Sequence, residues 1–362
     1  MTNVQNQLDP PDTDDIATFD CSHAVRLTGR EWLVVAAALL ALIVAGPPIG
    51  KRVERFEPGS DYRVPYELSH DFWQYGRHCR RACEQGKVLV IGDSGVWGHY
   101  VQPEQSLTHY LNELAGSDRF ANLGLDGLHP AALEGLLRHY ATDTSGRTVL
   151  LHLNPLWLSS RKHDLQTTKE FDFHHPTLVP QFAVNIPCYA APLSRRIWIA
   201  ACRKIPFARW ASHIRTAHFE DIDPLGSPGA GGEPASERPP GEAPARQEME
   251  WVDLEGSLQW QFFRRAVGLL RERDNRLFVL IGPLNESLLT DQNRAMYGRI
   301  REGMETWFRE NDVPCLVPSA LPPEYYVDSS HARPGGYAML ARVLMQDPAF
   351  AAATRNARPP GR

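Results

Sequence analysis

Residues 88–98 read Val88-Leu89-Val90-Ile91-Gly92-Asp93-Ser94-Gly95-Val96-Trp97-Gly98. The four apolar residues at its head, three of them β-branched, predict a short buried strand. Gly92 ends the run and allows a sharp turn. Asp93 and Ser94 then stand at the carboxyl end of that strand, the edge where open α/β sheets bind ligands. A serine there presents its hydroxyl above the sheet, and its own N–H can face a developing negative charge. Taken alone, Gly-Asp-Ser is a weak signal, and a strand end with Asp93 or Ser94 capping the next helix reads it equally well.

Outward from this stretch, short apolar runs alternate with helical spacing. Further strands are expected at 120–123, 149–153, 277–281 and 314–317. Helices are expected at 71–83, 106–114, 130–140, 258–271, 291–311 and 336–345. Strand–helix alternation predicts a doubly wound α/β fold: a mostly parallel five-stranded sheet, flavodoxin-like, in three layers. Residues 155–255 interrupt it as a long insertion. Within them, 224–245 is rich in Pro, Gly, Ala and Glu and is expected to be a disordered loop. Residues 197–214 mix Trp198, Phe207 and Trp210 with arginines, and read either as a helix packed on the domain or as one lying on a membrane surface.

The chain has 362 residues, 43% of them hydrophobic, which is enough for a sizeable core. A net charge of −5 gives no global basic footprint for nucleic acid. The six cysteines include no Cys-x-x-Cys pair, which disfavours a zinc site, and no metal is expected. Cys79/Cys83 and Cys188/Cys202 would suit bridges in an exported domain, or buried thiols otherwise.

Residues 1–30 are polar and acidic and read as a disordered tail. Residues 31–50 are uncharged after Glu31 and predict a single transmembrane anchor, with Pro47 and Pro48 breaking its far end. A lead-in of 51–85 follows, then the sheet domain at 86–348 and a C-terminal tail at 349–362. Arg26 and Arg30 precede the span, whereas Lys51, Arg52, Arg55 and Arg63 follow it, a bias toward a cytoplasmic domain.

Three more loops belong to the functional edge of such a sheet. They are Asn122-Leu-Gly124-Leu-Asp-Gly127 after the second strand, His152-Leu-Asn154 after the third, and Asp328-Ser-Ser-His331 before the last helix. Each is unremarkable alone. Together, in this order with Gly-Asp-Ser, they resemble the SGNH/GDSL hydrolase superfamily over about 86–153 and 275–346. The resemblance implies a nucleophile Ser94, a general base His331 and an orienting Asp328. It implies an oxyanion hole of the Ser94 and Gly127 N–H groups and the Asn154 amide, with Gly124 competing for Gly127's role. It implies no cofactor. The chemistry needs each part: a base activates the hydroxyl, a carboxylate fixes the base's tautomer, and preset donors stabilise the tetrahedral oxyanion.

Two positions depart from the family pattern. His152 stands where the third block carries glycine, and Gly95 where the first block carries leucine. Asn285, after the fourth strand, is a candidate substrate contact. The preferred reading is a membrane-anchored serine esterase acting on acyl, plausibly acetyl, esters of a saccharide or small molecule. The alternatives are an O-acyltransferase decorating a surface polysaccharide with the same residues, and a non-catalytic binding or scaffold protein. The resemblance favours an exported domain over the arginine bias.

Overall fold

The computed structural model describes residues 27–168, 174–219, 246 and 248–355. The expected loop 224–245 and all but the end of the expected tail 1–30 lie outside them. The chain divides into two compact units, 1–46 and 47–362.

Helix α1 (Gly29–Val53) is the one helix among the described residues that is long and apolar enough to cross a membrane, with a mean hydropathy of 2.3 over its most apolar 18 residues. Its side chains Trp32, Leu33, Leu40 and Val44 are exposed rather than packed into protein. Contrary to expectation, Pro47 and Pro48 do not end it; the helix runs two turns… beyond the first unit to Val53. A proline removes one backbone donor and crowds the preceding turn, which a long helix can absorb.

The second unit follows the order α2 (Phe72–Glu84), β1 (Val88–Gly92), α3 (Ser94–Trp97), α4 (Leu107–Ala115), β2 (Phe120–Gly124), α5 (Pro130–His139), β3 (Thr148–Leu153), α6 (Leu193–Cys202), α7 (Pro206–Ile214), α8 (Leu258–Glu272), β4 (Arg276–Ile281), α9 (Asp291–Glu310), β5 (Cys315–Leu316), α10 (Pro334–Gln346) and α11 (Pro348–Arg355). All five strands pair in parallel, in the order β2-β1-β3-β4-β5. The order reverses direction at β1, between β2 and β3, which is the switch point where a crevice opens above the strand ends.

The period-2 alternation of the strands sorts the core into two layers. Leu89, Ile91, Val149, Leu151, Val279 and Ile281 face one way. They pack on Tyr75 and Cys79 of α2, Leu133 and Leu137 of α5, Phe262 and Phe263 of α8, and Met304 and Phe308 of α9. Val88, Val90, Leu150, Phe278 and Leu280 face the other way, onto α4, α10 and α11. The expected C-terminal tail is therefore corrected at its start: Pro348–Arg355 is helical, and its Phe350 is fully buried against Phe120 and Phe278. A single aromatic every few residues in an alanine-rich stretch gave too little periodicity to reveal this.

The inserted region is not irregular throughout. Its helix α7 docks on α2 through His213, whose ring contacts Asp71 Oδ2 at 2.6 Å and Glu54 Oε2 at 3.5 Å. Asp71 also caps α2 by accepting from the Trp73 and Gln74 N–H groups. The five described cysteines are free thiols.

Burial disfavours the His213 cation, but Asp71 and Glu54 outweigh it and raise its pKa to about 9. A folded-state pKa raised above the unfolded value of 6.5 stabilises the fold fully below pH 6.5, and that contribution fades as pH climbs through about 9. His213→Ala is expected to lower Tm at pH 7, and the gap to wild type should shrink above pH 9. A gap that stays constant from pH 6 to pH 10 would disprove the assignment.

Candidate active site

Three strand ends and one late loop supply the site. β1 ends in Gly92, and Asp93 then caps α3 by accepting from the Gly95 N–H. That turn puts Ser94 at the first position of α3, clear of the sheet, with its side chain facing the cavity. On the other side, the 326–332 loop is closed by an antiparallel bridge between Tyr326 and Ala332. Within it, Asp328 Oδ1 accepts from the Ser330 and His331 N–H groups at 2.9 and 2.8 Å. The spacing of three residues thus folds back on itself, and the carboxylate's second oxygen meets His331 Nδ1 at 2.7 Å.

The ring's other nitrogen, His331 Nε2, lies 2.8 Å from Ser94 Oγ. With Nδ1–H donated to Asp328, Nε2 is left as the acceptor for the serine hydroxyl. The three residues, separated by 237 positions between serine and histidine, therefore form one continuous relay. Burial works against the His331 cation, but the hydrogen bond and charge of Asp328 raise its pKa above the ordinary value. Burial likewise opposes the Asp328 carboxylate, and His331 with the two loop N–H groups lowers it. The His331 ring is flanked by His99 and Tyr100, with centroids 5.3 and 5.4 Å away.

The relay opens into a cavity of about 240 Å³ bordered by Gly127, Asn154, Trp157, His163 and His174. Gly127 has φ +65°, a conformation that favours glycine, and a Cβ there would strike the His174 ring. The preceding Asp126 is held twice: its carbonyl accepts from His175 Nε2 at 2.7 Å, and its carboxylate meets His99 Nδ1 at 2.8 Å. Burial keeps His175 neutral, with its pKa lowered to about 4. Gly124, the competing candidate, belongs to β2; its N–H donates to Asn122 Oδ1, and a Cβ there would overlap the backbone of Trp97. It is a packing glycine, and it is Gly127 that borders the cavity.

Asn154 is placed at the end of β3 and borders the cavity, but its amide is also committed elsewhere. Nδ2 donates to Asp93 Oδ2 at 2.8 Å and lies 3.4 Å from Ser330 Oγ. Since the amide carries two hydrogens, the stronger bond orients the group and leaves the second N–H on the Ser330 side. Asn285 does not meet its expectation. It is buried, its N–H and Nδ2 donate to the carbonyls of Ser329 and Asp328, and it is not among the residues bordering the cavity. Its place is beneath the acid loop, which it steadies.

Several residues do more at the site than the sequence signalled. Asp93 is one: its buried carboxylate accepts from the Gly95 N–H, His152 Nδ1, Asn154 Nδ2 and Trp157 Nε1 at 2.9, 3.1, 2.8 and 3.2 Å. Burial would raise its pKa, but the His152 charge and these donors bring it down to about 2. His152 faces a second acceptor, the Gly282 carbonyl, with Nε2 at 3.0 Å, so both ring nitrogens lie against acceptors. Arg63 is another. Its guanidinium donates to the carbonyls of Trp97, Gly98 and Val101 and lies 3.9 Å over the Trp97 ring, clamping the turn after the nucleophile. Only long-range folding brings these partners together.

The two departures from the family pattern touch each other. A Cβ on Gly95 would lie 3.1 Å from His152 Cε1, and one on Gly92 would lie 2.7 Å from His152 Cβ. The histidine fits only because both neighbours on the nucleophile turn are glycine. Among the described residues, no group of three or more His, Cys, Asp or Glu side chains could hold a metal ion. Comparison with known proteins returns no matching family model and no matching curated protein.

Gly95→Leu is expected to cost about 1–3 kcal/mol by crowding His152. In the double variant Gly95→Leu/His152→Gly the loss should be smaller than the sum of the single losses, by roughly 0.5–3 kcal/mol in a denaturation cycle. Strict additivity would count against the contact. Independently, an NMR titration should place the His331 midpoint above 6.5, and Asp328→Asn should move it down.

Proposed function

We propose that the chain is a serine esterase of the SGNH/GDSL type, held at a membrane by α1, that removes short acyl groups, acetyl foremost, from a saccharide or other small alcohol. The observation that carries this reading is the relay from Asp328 through His331 to Ser94, with links of 2.7 and 2.8 Å.

The steps follow from the geometry. Ser94 Oγ attacks the ester carbonyl carbon while its proton passes to His331 Nε2. Asp328 holds the ring's tautomer and stabilises the imidazolium as it forms. The carbonyl oxygen becomes an oxyanion; the Ser94 and Gly127 N–H groups are the donors that would receive it, joined by the Asn154 N–H that otherwise makes the long bond to Ser330 Oγ. Collapse of the tetrahedral intermediate breaks the bond to the alkoxide, which takes the proton from Nε2 and leaves the acyl group on Ser94. Water then repeats the sequence, giving its proton to His331, and the acid departs as Ser94 Oγ is reprotonated.

The size of the cavity supports a short acyl group. About 240 Å³ is small beside the roughly 300–1,000 Å³ of sites for drug-sized ligands. The histidines and Trp157 at its border suit a hydroxylated leaving group better than a long apolar chain. We place the catalytic unit outside the cytoplasm, where saccharide esters occur on surface polymers; a reporter fused after Arg362 tests the side.

The reading predicts release of acid from p-nitrophenyl acetate by the full chain in detergent. Ser94→Ala should lower kcat by about 10⁴-fold or more, and Asp328→Asn by about 10³–10⁴-fold. Because His331 must be neutral to accept the proton, activity should rise with pH on an acid limb lying above 6.5. Unchanged turnover in Ser94→Ala, or failure of a fluorophosphonate to label Ser94, would leave a binding protein instead. Acyl product accumulating on an added glycan faster than free acid would identify a transferase using the same relay.

A further inference from the structure

We infer that the α6–α7 hairpin is a second membrane contact: it lays an apolar, cation-rimmed face on an anionic lipid surface. The inference rests on the membrane-anchored reading of α1 and is independent of the esterase chemistry.

The first observation is the direction in which α6 faces. Its inward side buries Ile199 and Arg203, the latter donating to the carbonyls of Thr177 and Val179. The outward side carries Leu193 and Ile197, one turn apart, with Trp198 next to them, exposed to 66, 54 and 67%. Ile205 continues the exposed apolar surface into the α6–α7 turn. A helix on a water-facing surface presents polar residues outward; here the outward face is the apolar one. Nor does the hairpin close tightly on the domain: an open cavity of about 550 Å³ lies between them, bordered by Ile199, Phe207 and Phe72, with the exposed Trp198 at its mouth.

The second observation is charge. From His174 to Phe219 the chain holds no Asp or Glu, but has Arg195, Arg196, Arg203, Lys204, Arg209 and Arg215. Arg203 and Arg209 donate to backbone carbonyls, and Arg195 and Lys204 are exposed on the hairpin. An amphipathic helix with tryptophan on its apolar face and cations at its rim is the pattern that settles at the headgroup level of anionic bilayers.

The third observation is position. The last turns of α1 belong to the same compact unit as the hairpin. Trp210 of α7 packs so closely on Gly50 that a Cβ there would overlap its indole, and Lys51 Nζ lies 5.3 Å over the Trp73 ring.

The test uses the full chain in nanodiscs containing lipids brominated along the acyl chain, which quench nearby tryptophans. In discs one-third anionic, wild type should lose more emission than Trp198→Phe, by up to the share of one tryptophan in nine. That excess should vanish in zwitterionic discs and in Arg195→Glu/Arg196→Glu, whose folding is checked by circular dichroism. Equal quenching of wild type and Trp198→Phe in anionic discs would overturn the proposal, placing Trp198 in water or under another protein. An excess of the same size in zwitterionic discs would overturn its charge selectivity, and with it the surface proposed. Retention of the chain in the discs, read separately, reports on α1; loss of ester turnover reports on the esterase reading. Neither substitutes for the quenching result.

Discussion

A buried carboxylate with four donors governs the geometry of this molecule's functional edge. Asp93 stands between the end of β1 and the nucleophile and is bonded to groups from its own turn, from β3 and from the turn after β3. Removing a charge from water is costly unless every lone pair is satisfied and a countercharge is close. Four donors satisfy the two oxygens, and the His152 ring nitrogen is among them at 3.1 Å. The consequence is positional. One anion fixes the start of α3, and so Ser94; it also fixes the Asn154 amide and the Trp157 indole, and so one wall of the cavity. The nucleophile side and the donor side of the site cannot drift apart without unsatisfying Asp93.

The same reasoning explains why His152 and Gly95 occur together. A histidine at the end of β3 needs room over the nucleophile turn, and glycine at 92 and 95 provides it. In exchange the imidazole bonds Asp93 through Nδ1 and ties the β4 terminus in through the Gly282 carbonyl. Seen singly, each position looked like a departure that loosens the site. In contact they form one alternative way of filling the same space, with a bonded ring where a pattern of glycine and leucine would place backbone and hydrocarbon.

The sheet was legible because its signals are local. Period-2 apolar runs bounded by glycine and polar turns mark strands, and the strand order follows from right-handed crossovers between them. The serine, histidine and aspartate were legible because their loops fall at strand ends on one edge. What stayed hidden depends on contacts distant in sequence. Asn285 was expected at the substrate because it follows β4, but its partners lie 43 or more residues away in the acid loop. Asp93 looked like a helix cap, and it is one, yet its other three partners come from 59 to 64 residues on. Helix α11 was missed because Phe350 is nearly its only large apolar anchor, and α1 was cut short because proline's penalty was weighed without the length of helix around it.

The inserted region joins the two functional halves of the second unit. At its start, Trp157 and His163 border the cavity, and His174 covers Gly127. Next to that, His175 holds the Asp126 carbonyl, so the turn that carries the proposed oxyanion donor is gripped from the insertion and not from the sheet. Two residues further on, Thr177 accepts from Arg203 of α6, and α7 is pinned to α2 by His213. A displacement of the α6–α7 hairpin therefore has a short route, through Arg203, Thr177 and His175, to the Gly127 turn. Two of its links are partly buried hydrogen bonds, Arg203 to the Thr177 carbonyl and His175 to the Asp126 carbonyl, and the third is the short stretch of chain between Thr177 and His175.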